Sequence, residues 1–270
     1  MTARRIIIHA GFHKTGTTTI QNFLRHNGKL IYPHSAMLLP GKLRSAAAAM
    51  ALRYSSTGRA VYATSFGEEL REMMSNISVG KRSVLISDEN LIGRMPGRDG
   101  QLGYPKITDL ILCLRDAVLD SFGPDLDIHY VFTTRDRDAW LQSLYQHNVT
   151  RGRLTQNYDE FDATLRPYAD LAPLVEGLKE HLGAQNVHAF DLADLAKMPF
   201  GPASPIVDLL SLPAKKGAQL QPVPSANISV TDDILMRCLE LNRTTLDDKD
   251  INDQKVAMLV AFRRKLNNAH

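Results

Sequence analysis

The chain is expected to be an α/β protein with a central, mainly parallel sheet flanked by helices, and three observations predict it. Short apolar runs alternate with stretches of helical period, the pattern of a parallel sheet covered on both faces. The first run, Arg5-Ile6-Ile7-Ile8-His9-Ala10, ends in a loop bracketed by Gly11 and Gly16, and an amphipathic pattern begins at Ile20. A later run, Ile128-His129-Tyr130-Val131-Phe132-Thr133-Thr134, ends in a turn that enters another helical stretch.

Strands are placed at Arg4 to Ala10, Ser83 to Ser87, Ile128 to Thr134 and Val187 to Phe190, each an apolar run with few charges. Helical spacing of apolar residues places helices over Thr17 to Arg25, Gly67 to Ser75, Ile107 to Phe122 and Arg137 to Val149. Further helices are expected over Pro173 to Leu182, Pro205 to Leu210, Thr231 to Asn242 and Ile251 to Leu266, and Ala46 to Ala51 also reads as helix. Ser229 or Thr231 is the expected N-cap of its helix. Two stretches read as irregular, Gly28 to Arg44 and Gly93 to Pro105. Ligands of open α/β sheets sit beyond the carboxyl ends of the strands, so these stretches are candidate lids or acceptor-site walls.

With 270 residues and 44% hydrophobic content there is enough material for one large core, and a single domain over 1–270 is expected. A net charge of +3 is too small to argue for nucleic acid, which needs a concentrated basic stripe. Cys113 and Cys238 lie far apart in apolar helical patterns, with no disulfide framework or metal spacing. The N-terminal apolar run is short and passes straight into the glycine loop, and no later run approaches a membrane span. A reduced, cytoplasmic location is the expectation.

The loop Gly11-Phe12-His13-Lys14-Thr15-Gly16-Thr17-Thr18-Thr19 carries the chemistry. Unpaired N–H groups at a helix start carry partial positive charge, so a strand, a glycine loop and a helix N-terminus together make an anion site. Gly11 and Gly16 permit close backbone approach, Lys14 adds a full charge, and Thr17 and Thr18 add hydroxyl donors. In a triphosphatase loop of the form G-x-x-x-x-G-K-[ST] the lysine follows the second glycine; here Thr17 stands in that place and Lys14 lies inside the loop.

The order His13-Lys14-Thr15-Gly16-Thr17-Thr18 resembles the 5′-phosphosulfate loop of sulfotransferases that use 3′-phosphoadenosine 5′-phosphosulfate (PAPS), especially their bacterial and carbohydrate-directed branches. Members of that family carry an arginine at a strand end and a serine eight positions later, which grip the cofactor's 3′-phosphate; Arg135 and Ser143 match. The arginine fork suits phosphate oxygens, and a serine about two turns on presents one hydroxyl from a fixed helix face. The resemblance covers most of the first 150 residues. It implies a P-loop-like sulfotransferase fold with Gly11, Lys14, Thr15, Gly16, Thr17, Thr18, Thr19, Arg135 and Ser143 as cofactor-binding residues.

Val84-Leu85-Ile86-Ser87-Asp88-Glu89 is an apolar strand ending in two carboxylates. In a triphosphatase they would hold magnesium; in the sulfotransferase reading Glu89 is the general base that takes the acceptor's proton, with Asp88 and His13 as other candidates. Either acid could instead cap the next element or pair with Lys14 or Arg135. Lys14 would stabilise the leaving phosphate, and no metal is needed in this scheme. The acceptor would be a small metabolite, lipid or sugar hydroxyl, or an amine. A P-loop kinase or triphosphatase, and a nucleotide-binding scaffold without catalysis, are the competing readings.

Several residues have a structural reading that outweighs a functional one. His9 is expected to be buried in its strand, and Trp140 to pack in the core through its helical spacing with Leu144. For Arg137 the two readings balance, an aid to phosphate binding or a solvated helix-start charge. Lys215-Lys216-Gly217 resembles a basic loop over the 3′-phosphate in cytosolic sulfotransferases, yet the family's continuation is missing and a surface loop is expected. Arg263-Arg264-Lys265 suits the last turns of a helix.

Overall fold

The protein, here a computed structural model, is described over residues 3–41, 46–224 and 230–267, with side chains up to 264. Five strands, β1 (Arg4–His9), β2 (Ser35–Leu38), β3 (Ser83–Ser87), β4 (Leu126–Thr134) and β5 (Val187–Asp191), form one parallel sheet of order β2-β3-β1-β4-β5. The α/β class is as expected. Ile6, Ile7 and Ile8 of β1 are all fully buried. Because successive side chains of a strand point to opposite faces, Ile7 joins one core while Ile6 and Ile8 join the other.

The helices in chain order are α1 (Thr17–His26), α2 (Gly28–Ile31), α3 (Ala46–Thr57), α4 (Ala60–Ser75), α5 (Ile107–Phe122), α6 (Arg137–Arg151) and α7 (Tyr158–Leu165). They continue as α8 (Ala172–Leu182), α9 (Leu192–Leu195), α10 (Ser204–Leu210), α11 (Ala214–Gly217), α12 (Asp232–Asn242) and α13 (Asp248–Asn267). Ile20, Phe23 and Leu24 of α1 pack with Ile206 and Leu210 of α10 on the Ile7 face. Residues of α3 to α8 and α12 cover the other face. No helix among the described residues is long and apolar enough to cross a membrane.

One expectation needs correction, and the structure adds detail to others. Gly28 to Arg44 is not wholly irregular: it holds α2 and the edge strand β2, whose Ala36 pairs with Val84, while 42–44 lie outside the described residues. Helix α7 went unread because its start signal is a capping box between Asn157 and Glu160 rather than a long apolar period. Thr231 is the N-cap residue of α12, one of the two expected, with extended backbone but no side-chain cap bond, and Ser229 lies outside the described residues. Residues 93–105 contain no helix or strand beyond turns, as read. Lys215 and Lys216 sit exposed on α11.

The far end of α6 is tied down by the C-terminal helices. Lys255 is 2% exposed, and its ammonium donates to the carbonyls of Val149, at 2.8 Å, and Gly152. A cation at a helix C-terminus satisfies orphan carbonyls and the dipole together. Lys255→Met is therefore expected to destabilise the fold by about 1–3 kcal/mol, read as a lowered urea midpoint; an unchanged midpoint would mean water replaces the ammonium at no cost.

Candidate active site

Strand β1 lies where the sheet order reverses, so the loop at its carboxyl end, residues 10–16, occupies the crevice position of an open α/β sheet. The loop turns through the left-handed region at Lys14 (φ 67°) and Gly16 (φ 100°). For a lysine this costs on the order of 1–3 kcal/mol, so surrounding contacts must hold it. They do. Thr15 Oγ1 donates to the Phe12 carbonyl at 2.7 Å, Trp140 Nε1 to the His13 carbonyl at 2.8 Å, and Arg135 Nη1 to the Lys14 carbonyl at 3.2 Å. The Gly16 carbonyl accepts from the N–H groups of Thr19 and Ile20. With these carbonyls drawn to protein donors, little is left on the loop to repel an anion.

Glycine is required at both ends of the loop. A Cβ at Gly16 would lie 2.9 Å from Leu192 Cδ1, and one at Gly11 2.8 Å from His9 Nε2. His9 itself is buried beneath the loop, bonded through Nδ1 to Ser87 Oγ at 2.9 Å, which is the structural role expected of it. Helix α1 starts without a side-chain cap, and Thr17 Oγ1 is buried with no hydrogen-bond partner in the protein. A buried hydroxyl left open beside an uncapped helix start fits a phosphate or sulfonate oxygen.

The residues picked from the sequence divide between two adjoining cavities. One, of about 450 Å³, is lined by His13, Lys14, Thr17, Thr18 and Glu89, joined by His147. The other, of about 670 Å³, holds Thr19, Arg135 and Ser143, with an apolar wall from Leu192, Phe200, Pro202 and Val223. Gly16 borders both. Gly11 and Thr15 line neither cavity; they shape the loop instead. Trp140 is core, as expected, and Arg137 forms an exposed ion pair with Asp170 at 3.2 Å.

The two strand-end acids take different places. Asp88 is fully buried and caps the turn Glu89–Ile92, with Oδ1 accepting from the Asn90 backbone at 2.9 Å and its amide at 2.8 Å. Glu89 faces the Lys14 cavity, and Gln21 of α1 donates to its Oε2 at 2.9 Å. His13 is enclosed: the Tyr104 hydroxyl accepts its backbone N–H at 2.9 Å and lies 3.0 Å from Nδ1, while the Asn90 side chain also bonds the ring.

Burial dominates the electrostatics. It depresses the Lys14 ammonium, Arg135 and Arg151 push the same way, and Glu89 opposes them. His147 Nδ1 lies 3.5 Å from Lys14 Nζ, and burial with Lys14 and Arg98 nearby lowers its pKa to about 3. Burial lowers His9 and His13 to about 4. These rings are neutral when folded, whereas the unfolded chain takes up protons near 6.5. Below that pH the unfolded state binds more protons, so stability is full above about 6.5 and falls as pH drops toward 4. Urea midpoints at pH 7.5 and 5 should differ accordingly; equal midpoints would mean the rings are solvated.

Sequence reasoning missed His147, Gln21, Tyr104, Asn90, Arg94 and Arg98, all at this site. His147 is four residues beyond Ser143 and Gln21 four beyond Thr17, so helical spacing was a usable signal for these two. Tyr104 and Arg98 lie in the irregular stretch 93–105, which was marked as a candidate acceptor wall, but its aperiodic sequence singles out neither residue.

Fold and site define the class: an open parallel α/β sheet whose switch-point loop borders two cavities lined by basic and hydroxyl groups. No protein-family model matches the chain, and no curated protein does. Among solved structures it is similar to a sulfotransferase from Alicyclobacillus acidocaldarius, with 15% identity over 96% of each chain and a TM-score of 0.48. Identity that low carries no residue's role from one chain to the other.

Proposed function

We propose that the chain is a sulfotransferase that moves a sulfuryl group from PAPS to a hydroxyl or amine of a small acceptor. One observation carries the reading: the Gly16 loop separates a cavity holding Lys14 and Glu89 from one holding Arg135 and Ser143. A donor with phosphate at both its 5′ and 3′ ends needs a cationic grip on each side of such a loop.

When bound, PAPS supplies a sulfuryl group activated by its bond to the 5′-phosphate. Lys14 and the open start of α1 put positive charge where that phosphate oxygen gains negative charge. Thr17 and Thr18 offer hydroxyls on the same side, and the orphaned Thr17 Oγ1 gains a partner there. Arg135 and Ser143 hold the 3′-phosphate, and the apolar wall of their cavity suits a base. Glu89, fixed by Gln21, takes the proton that the acceptor gives up. The ring of His13, already engaged by Tyr104 and Asn90, supports Glu89 over His13 as the base, and the capping role of Asp88 does the same.

Calorimetric titration with the desulfonated product, 3′-phosphoadenosine 5′-phosphate (PAP), tests the reading. Binding should not require magnesium, and Arg135→Ala should weaken it by about ten- to a hundredfold, the worth of hydrogen bonds to a charged group. Magnesium-dependent ATP binding with indifference to PAP would favour the kinase or triphosphatase alternative.

A further inference from the structure

A third cavity opens at this end of the sheet. It measures about 550 Å³, is lined by Arg98, Asn148, Arg151, Arg153 and Lys255 among others, and shares Arg98 and Asp99 with the Lys14 cavity. Most charges along these walls are already matched. Asp99 pairs with Arg94, Asp248 pairs with Arg153 at 2.6 Å, and Lys255 is spent on the carbonyls at the end of α6. What remains is Arg98, which lines both cavities, and Arg151, which lines the third, while Lys14 shares its cavity with Glu89.

Neither Arg98 nor Arg151 has an acidic partner within ion-pair distance among the described residues, and Arg98 Nη2 instead donates to the Arg151 carbonyl at 3.3 Å. Both work against charge on their neighbours: Arg151 on Lys14, and both on His147. Cations gathered without counter-charge raise the energy of the empty site, and an incoming anion relieves it.

Helix α6 acts as a ruler across the three cavities. Ser143, His147 and Arg151 lie one turn apart on one face, and each borders a different cavity in turn. At 1.5 Å per residue, Arg151 is about 6 Å along the axis from His147 and about 12 Å from Ser143. The donor's phosphates are met by Lys14, α1, Arg135 and Ser143, which leaves Arg98 and Arg151 on the acceptor side.

We propose that Arg98 and Arg151 bind an oxyanion carried by the acceptor itself, a carboxylate, phosphate or sulfate roughly one helical turn from the reacting hydroxyl or amine. The assignment of that oxyanion to an acceptor rests on the sulfotransferase reading; the anion subsite itself does not. The acceptor is then a small acidic molecule, selected over neutral alcohols by charge.

The test titrates inorganic phosphate, sulfate and acetate into the full chain with and without saturating PAP, following arginine side-chain ¹⁵N signals. Phosphate or another of these anions should still bind with PAP present, and the Arg98→Gln/Arg151→Gln double variant should weaken that binding at least about tenfold. PAP affinity should change less than about threefold in Arg151→Gln alone, since Arg151 lines neither the Lys14 cavity nor the Arg135 cavity. The ranking of the three anions assigns the oxyanion. Anion binding untouched by the double variant, absent for all three anions, or abolished by PAP, would overturn the subsite. Failure of PAP itself to bind would sink the sulfotransferase reading instead, while titration of the free protein would still read Arg98 and Arg151. Both residues are exposed, so the double variant is expected to fold, and an unchanged urea midpoint verifies it.

Discussion

In the proposed sulfuryl transfer, Lys14→Ala is expected to lower turnover of PAPS by about two to three orders of magnitude, the usual cost of removing one preorganised group that meets developing charge. Lys14 is held in a left-handed conformation by donors to three neighbouring carbonyls, and this aims its amine into the cavity that contains Glu89. Burial and Arg135 destabilise the ammonium, so its charge is poised to be used by an anion rather than dissipated in water. Arginine should not restore the rate, because a planar fork cannot replace a compact charge inside a tight loop. Single-turnover release of PAP from saturated enzyme is the measurement. A rate within about tenfold of the parent would remove Lys14 from the chemistry.

Glu89→Gln should cost a further class of stabilisation, about two to four orders of magnitude in turnover, because the amide keeps the shape but cannot take a proton. It is isosteric and can still accept from Gln21, so the fold and PAP affinity should hold. The acidic limb of the pH–rate profile should vanish with the carboxylate. If the limb persists and His13→Asn removes it instead, the proton goes to His13, which would have to escape its bonds to Tyr104 and Asn90.

How far the sequence could be read depended on whether a residue's role was local. The Ile6-Ile7-Ile8 run between Arg5 and the glycine loop has one sensible fate, a buried parallel strand, and it lies at the centre of the sheet. Arg135 and Ser143 share a strand end and a helix face, so their spacing could be read, and they line one cavity. By contrast β2 is four residues at a sheet edge, specified by pairing with β3 rather than by its own pattern. Tyr104 lies 91 positions from His13, and Gln21 lies 68 from Glu89; no periodicity encodes such partners. Thr15 and Gly11 line neither cavity: the Thr15 hydroxyl bonds the Phe12 carbonyl, and Gly11 leaves room beside His9. Family likeness marked the loop, and only tertiary contacts divided it into shaping and facing residues.

In the proposed function one donor is gripped at both its phosphates, on the two sides of Gly16. Calorimetric affinities of PAP, adenosine 5′-phosphate and adenosine 3′-phosphate for the same protein address it directly. PAP is expected to bind at least about tenfold more tightly than either monophosphate, because each phosphate finds its own cationic cavity. Equal affinity for PAP and one of the monophosphates would show that a single phosphate is held, and would contradict it.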